Sequence, residues 1–332
     1  MNEVPSADSL IGEVESLGER LARARAAVGR VIFGQEAVVE RTFVTLLSGG
    51  HLLLVGVPGL GKTKLVETLG TVMGLDARRV QFTPDLMPAD ILGSEVLEEG
   101  HDGRRAFRFI EGPVFTQLLM ADEINRASPR TQSALLQSMQ ERKVAVGGRI
   151  LPLPEPFHVL ATQNPIEQEG TYPLPEAQLD RFLLEVEMDY PDEAAEREML
   201  LATTGAAEAR AEPAMTAREL MAAQALIRRI PVGEQVVNAI LRLVRGARPG
   251  AEGVLAEAQA HLAWGPGPRA AQALMLACRA RAVLDGRLAP SVEDVLELAE
   301  PVLRHRMALS FAARADGVRL SEVIAALTAS IG

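Results

Sequence analysis

The string Gly56-Val57-Pro58-Gly59-Leu60-Gly61-Lys62-Thr63 constrains this 332-residue chain more than any other feature. It satisfies G-x-x-x-x-G-K-[ST], in which glycines let the backbone curl so that successive N–H groups point at phosphate oxygens. With 28 glycines and three lysines in the chain, an accidental match is expected about 0.002 times. The flanks agree: the apolar run His51–Val55 precedes the string, and helical periodicity from Lys62 to Met73 follows it. Strand, tight loop and helix in that order fit a strand buried on both faces of a parallel sheet. The helix also brings its positive dipole end to the loop. Lys62 is then expected to reach the terminal phosphates and the Thr63 hydroxyl to ligate Mg²⁺.

Two more apolar runs, Gln117–Ala121 and His158–Thr162, end in polar residues. Strands alternating with helices predict a parallel α/β sheet whose ligand groups sit at the strands' carboxyl ends. The second run closes on Asp122-Glu123. Asp122 is placed to hold Mg²⁺ directly or through water, and Glu123 to polarise a water for in-line attack. The third run leads into Gln163-Asn164-Pro165, and an amide there can orient the attacking water. Two hairpins are predicted in the core. One pairs Glu95–Leu97 with Arg105–Ile110 around the turn Gly100–Gly103; the other pairs Val144–Val146 with Ile150–Leu153 around Gly147-Gly148. Ser128-Pro129 reads as an N-cap followed by proline at the first helical position.

Residues 8–28 carry apolar side chains at alternating four- and three-residue steps, an amphipathic helix packed on the body. After Tyr190-Pro191 no strand-like run appears, and Ala- and Leu-rich helical patterns follow, one of them capped by Ser291. The expected organisation is a nucleotide-binding core over residues 1–190 and a helical domain over 191–332. The first includes the N-terminal helix (1–28) and inserts near 94–111 and 143–154.

Composition removes several other classes. Net charge is −10, which disfavours non-specific nucleic-acid binding. The one cysteine, Cys278, excludes an internal disulfide framework and a Cys-rich zinc site, and the five histidines form no His-Glu-x-x-His pair. No run of 18 apolar residues is present and the start lacks a basic signal region, so a cytoplasmic protein without a membrane span is expected.

The order of the phosphate loop (56–63), Asp122-Glu123, Ala161–Pro165 and Leu174-Pro-Glu-Ala-Gln-Leu-Asp-Arg-Phe182 resembles an AAA+ ATPase. Gly34-Gln35, Phe109–Pro113 and Asp122–Arg126 narrow the resemblance to the MoxR family, over roughly residues 30–310. The resemblance implies an α/β P-loop NTPase core with hairpin inserts and an all-α lid, binding ATP and Mg²⁺. It implies that residues 56–63 (Walker A) and Lys64 contact the nucleotide, with Gly34 and Gln35 beside the adenine. It further implies that Asn164 is sensor 1, that Arg181 is an arginine finger entering a neighbour's site, and that Arg269 is a sensor 2 residue near the γ-phosphate. Gly267 stands where the family more often has serine. Arg126 and Arg130, beside the acidic pair, are further arginines that could cross an interface.

An arginine acting in trans requires an oligomer, and the resemblance suggests a hexameric ring. It suggests chaperone-like remodelling or cofactor insertion on a partner with a von Willebrand factor A (VWA) domain, expected on a separate chain. No direct nucleic-acid contact is expected. A magnesium-chelatase-like motor subunit and a nucleic-acid remodelling motor share this core and are the alternatives.

Overall fold

The computed structural model describes residues 7–99, 105–165, 170–205 and 210–331. The helix over 8–28 is α1 (Ala7–Gly29), and its apolar stripe Val14, Leu17, Leu21, Ala24 and Val28 is buried. Next come α2 (Glu36–Leu47), β1 (Leu52–Gly56), α3 (Lys62–Val72), β2 (Ala77–Gln81) and α4 (Pro88–Leu92). The first hairpin is β3 (Gly93–Glu99) with β4 (Arg105–Glu111); its proposed turn at Gly100–Gly103 lies outside the described residues. Then follow β5 (Leu118–Asp122) and α5 (Pro129–Glu141), which Ser128 caps by accepting a hydrogen bond from the Thr131 N–H. The second hairpin joins β6 (Lys143–Val146) to β7 (Arg149–Pro152) through Gly147 and Gly148, both at positive φ as that turn requires. β8 (His158–Gln163), α6 (Glu176–Leu179) and β9 (Leu184–Met188) complete the sheet region.

The sheet has the order β2-β5-β8-β1-β9, with every pair parallel. Two of its strands carry no apolar run. β2, Ala-Arg-Arg-Val-Gln, is a largely exposed edge paired only with β5, and β9 alternates Leu-Glu-Val-Glu-Met. Alternate residues of the central strands enter two different buried clusters. Leu52, Leu54, Leu118 and Met120 join one with α1–α3, while Leu53, Leu119 and Ala121 join another with α5. This two-sided burial explains why these strands read as continuous apolar runs.

Beyond Tyr190 lie α7 (Glu193–Thr203), α8 (Ala217–Ile227), α9 (Glu234–Gly246) and α10 (Ala256–His261). A short strand β10 (Leu262–Trp264) follows, then α11 (Pro268–Leu284) and α12 (Val292–Leu303), with strand β11 (Ala308–Leu309), α13 (Phe311–Ala315) and α14 (Leu320–Ala329) at the end. The second half is helical as expected, with one short antiparallel pair, β10–β11, whose strands of three and two residues are too short to show periodicity. Ser291 caps α12, its N–H donating to the Asp294 carboxylate (2.7 Å). No helix among the described residues is long and apolar enough to cross a membrane.

Two buried histidines brace the amino edge of the sheet. His51 Nδ1 accepts from the Val159 N–H (3.0 Å), and His158 Nδ1 donates to the Gly50 carbonyl (2.8 Å). Burial pushes His51 down to about 3, helped by the neighbouring His158, and His158 down to about 4. Burial also holds His305 well below 6.5. Imidazoles neutral in the fold but protonated near pH 6.5 once unfolded make the unfolded state the better proton binder below that pH. Their contribution is intact above pH 6.5 and is lost as pH falls toward 4, by about 2 kcal/mol each for His51 and His158 at pH 5. The urea midpoint should therefore drop between pH 7 and pH 5; an unchanged midpoint contradicts the buried neutral imidazoles.

Candidate functional site

Gly56 ends β1, and a Cβ there would meet the Met188 carbonyl at 2.7 Å. Gly59 and Gly61 have φ of 88° and 76° with open space around them, so glycine is required there by backbone conformation rather than by crowding. Gly61 is also the N-cap of α3, which directs that helix's first N–H groups at the loop. The Lys62 ammonium donates to the Gly56 carbonyl across the loop. Burial lowers its pKa, while the Asp122 and Glu123 carboxylates pull the other way, so the three charges share one electrostatic neighbourhood.

Asp122 ends β5, the strand next to β8. Thr162 of β8 links the acidic pair: its hydroxyl donates to Asp122 Oδ1 (2.5 Å) and accepts from the Glu123 N–H (2.8 Å). Arg79 of β2 holds Asp122 Oδ2 through Nη2 (2.6 Å) and Nε (3.2 Å). Glu123 sits at φ 55°, a left-handed conformation that a non-glycine residue adopts only when its surroundings impose it. Its Oε2 accepts from Gln81 Nε2 (2.7 Å) and Arg126 Nη1 (3.0 Å). Asn164 lies buried one residue beyond β8, whose Gln163 pairs with Val55 of β1. Parallel register thus collects Gly56, Asp122, Glu123 and Asn164 along one edge.

A cavity of about 480 Å³ opens beside the loop. Its walls include Ile32, Gln35, Leu60, Lys64, Tyr190 and Met199. Gln35 Nε2 donates to the Asp189 carbonyl (2.8 Å), tying the start of α2 to the exit of β9. Gly34 (φ 65°) serves by lacking a side chain, since a Cβ would strike Ala195 and Pro191 at 2.5 and 2.8 Å. The wall from α7 has no signature in the sequence.

The donor set suits a hard cation. The Thr63 hydroxyl and the Asp122 carboxylate both offer oxygen donors, the kind Mg²⁺ prefers. Both Asp122 oxygens already carry partners, which favours holding the ion through water, a mode Mg²⁺ adopts readily.

Arg181 and Arg269 lie elsewhere. They line a second cavity of about 270 Å³ with Gly50, His51 and Leu183, residues at the amino edge of the sheet. A five-residue strand separates the two edges by about 13 Å. Arg269 Nη1 lies 3.6 Å from Asp180 Oδ2, and Arg181 makes no ion pair among the described residues. Its Nε is buried without an acceptor, and burial together with the charge of Arg269 depresses its pKa. Packing of α11 on α2 and α12 puts the helix start that carries Arg269 at the edge opposite the phosphate loop of the same chain. Arg126 pairs with Glu123 of the same chain while staying partly exposed, and Arg130 is exposed on α5. Arg79, Gln81 and Thr162 were not singled out by sequence; only the register of β2 against β5 reveals the first two.

Comparison with known proteins gives the same picture. Residues 51–184 match the model of the ATPase family associated with various cellular activities (AAA), and residues 255–327 match the AAA lid domain. Chaperone MoxR1 of Mycobacterium tuberculosis is 42% identical, over 96% of this chain and 82% of that protein. Protein MoxR of Paracoccus denitrificans is 32% identical, over 88% and 89%. The crystal structure of a Cytophaga hutchinsonii protein superposes with a TM-score of 0.90 at 36% identity, covering 98% of both chains.

Proposed function

Because the chain belongs to the MoxR family of AAA+ ATPases, we propose that it hydrolyses ATP with Mg²⁺ at the carboxyl edge of its sheet, in a head-to-tail ring. One observation carries this reading. The phosphate loop and acidic pair occupy one edge, while Arg269 and Arg181, the latter without an ion pair among the described residues, lie at the other. An arginine about 13 Å away along the strands cannot serve its own loop, but head-to-tail stacking brings it to the next copy's.

In this reading the loop N–H groups and Lys62 hold the phosphates, and Lys64, Gln35 and the apolar wall around Leu60 hold the nucleoside. Thr63 and Asp122 would hold Mg²⁺, which when bound would supply positive charge to offset that of the triphosphate. Glu123, fixed by Gln81, Arg126 and its strained backbone, accepts the proton of the attacking water, and Asn164 orients that water. Arg181 and Arg269 of the adjacent copy stabilise the transferring phosphoryl group.

The lid couples hydrolysis to work on another protein. Chaperone action, for which the Mycobacterium relative is named, fits remodelling or cofactor insertion on a partner, for which a VWA-domain protein is our candidate. We place the protein in the cytoplasm as a hexamer with no direct nucleic-acid contact.

Lys62→Ala tests the phosphate cradle. Loss of a charge-assisted contact should weaken Mg-ATP binding roughly 10- to 100-fold by calorimetry, and loss of the ammonium that faces the terminal phosphates should abolish turnover. Binding equal to the parent protein would remove Lys62 from the site.

A further inference from the structure

Arg306, only 3% exposed, follows α12 and has no role in the scheme above. All five of its N–H donors find acceptors. Nε donates to Asp180 Oδ1 (2.7 Å), Nη1 to the carbonyls of Leu183 (3.1 Å) and Val302 (2.5 Å), and Nη2 to those of Phe182 (2.6 Å) and Asp180 (3.4 Å). Four of these acceptors belong to the segment that carries Arg181; the fifth belongs to α12. His305 Nε2 adds a contact to the same Phe182 carbonyl (3.1 Å). The other oxygen of Asp180 faces Arg269 at 3.6 Å.

We infer that Arg306 and Asp180 are positioning residues for the two arginines this chain offers to a neighbour. Arg306 clamps the Asp180–Leu183 segment to the lid, so that a lid movement carries Arg181 with it. Asp180, satisfied by Arg306 and Arg269, does not pair with the adjacent Arg181 guanidinium, which feels the charge of Glu141 without an ion pair among the described residues and stays available to a phosphate anion. Removing Arg306 releases a half-buried carboxylate one residue from Arg181, and the two charges then neutralise each other. Lysine at 306 keeps the charge but not the planar fork, and a single ammonium cannot reach four carbonyls and a carboxylate. The inference rests on the trans role of Arg181 proposed above.

Full-length Arg306→Lys and Asp180→Asn proteins test it through kcat, KM and melting temperature. Displacing Arg181 by an ångström or so should cost about 10²-fold in kcat while KM for ATP stays near the parent value, since the variant's own loop is intact. Mixing Arg306→Lys with Lys62→Ala subunits, whose amino edge is native, should restore turnover; a merely structural lesion is not repaired this way. If Arg306→Lys does not fold, Asp180→Asn alone decides. Parental kcat in the folded variants, or a loss confined to KM, overturns the positioning role. Arg181→Ala is the control: if it retains full turnover the trans reading itself fails, whereas if it alone is inactive only the present inference fails.

Discussion

Arg181→Ala should bind Mg-ATP as tightly as the parent protein and lose roughly 10³- to 10⁵-fold in kcat, the usual worth of an arginine that meets a transferring phosphoryl group. The split between binding and turnover follows from geometry. Arg181 lines the cavity at the amino edge, away from the loop that binds nucleotide in its own chain, so its removal leaves that loop untouched. The side chain is also poorly explained as a structural cation. It makes no ion pair among the described residues, its Nε is buried without an acceptor, and its immediate neighbour Asp180 is taken by Arg306. A comparable fall in nucleotide affinity, or parental turnover, would contradict the assignment.

Glu123→Gln should retain Mg-ATP and slow hydrolysis by roughly 10²- to 10⁴-fold, the range expected when a general base is lost. The substitution is nearly isosteric, and an amide can still contact Gln81 through its oxygen. Arg126 would meet a neutral acceptor in place of a carboxylate, a weaker contact. Single-turnover measurement with saturating ATP separates this from a binding defect. The ATP-locked protein is also the bait for the partner: pull-down with Glu123→Gln and ATP should recover a VWA-domain protein. Recovery of other proteins without one would remove that partner class.

Much of the site is legible in the sequence because phosphate chemistry dictates residue types. Glycines at positive φ, one lysine, one threonine and an acid at the end of an apolar run leave few alternatives, and the runs at 52–54, 118–121 and 159–161 announce strands buried on both faces. What escapes is whatever depends on tertiary register. β2 reads as polar because its edge position leaves four of five residues exposed, so the contacts of Arg79 and Gln81 to the acidic pair cannot be anticipated. Thr162 looks like the last residue of an apolar strand until the pairing of β8 with β5 sets it between Asp122 and Glu123. Arg269 shows the same limit from the other side. Pro268 marks a helix start plainly, but only the packing of α11 decides which edge of the sheet that start faces.

The most direct test mixes two proteins that are each inactive: Arg181→Ala, with an intact phosphate loop, and Lys62→Ala, with an intact arginine. If one copy's amino edge completes the next copy's carboxyl edge, the mixture regains a substantial part of parental ATP turnover although neither component has any. A mixture that stays as inactive as its parts, while both variants still assemble, would contradict a site shared between neighbours.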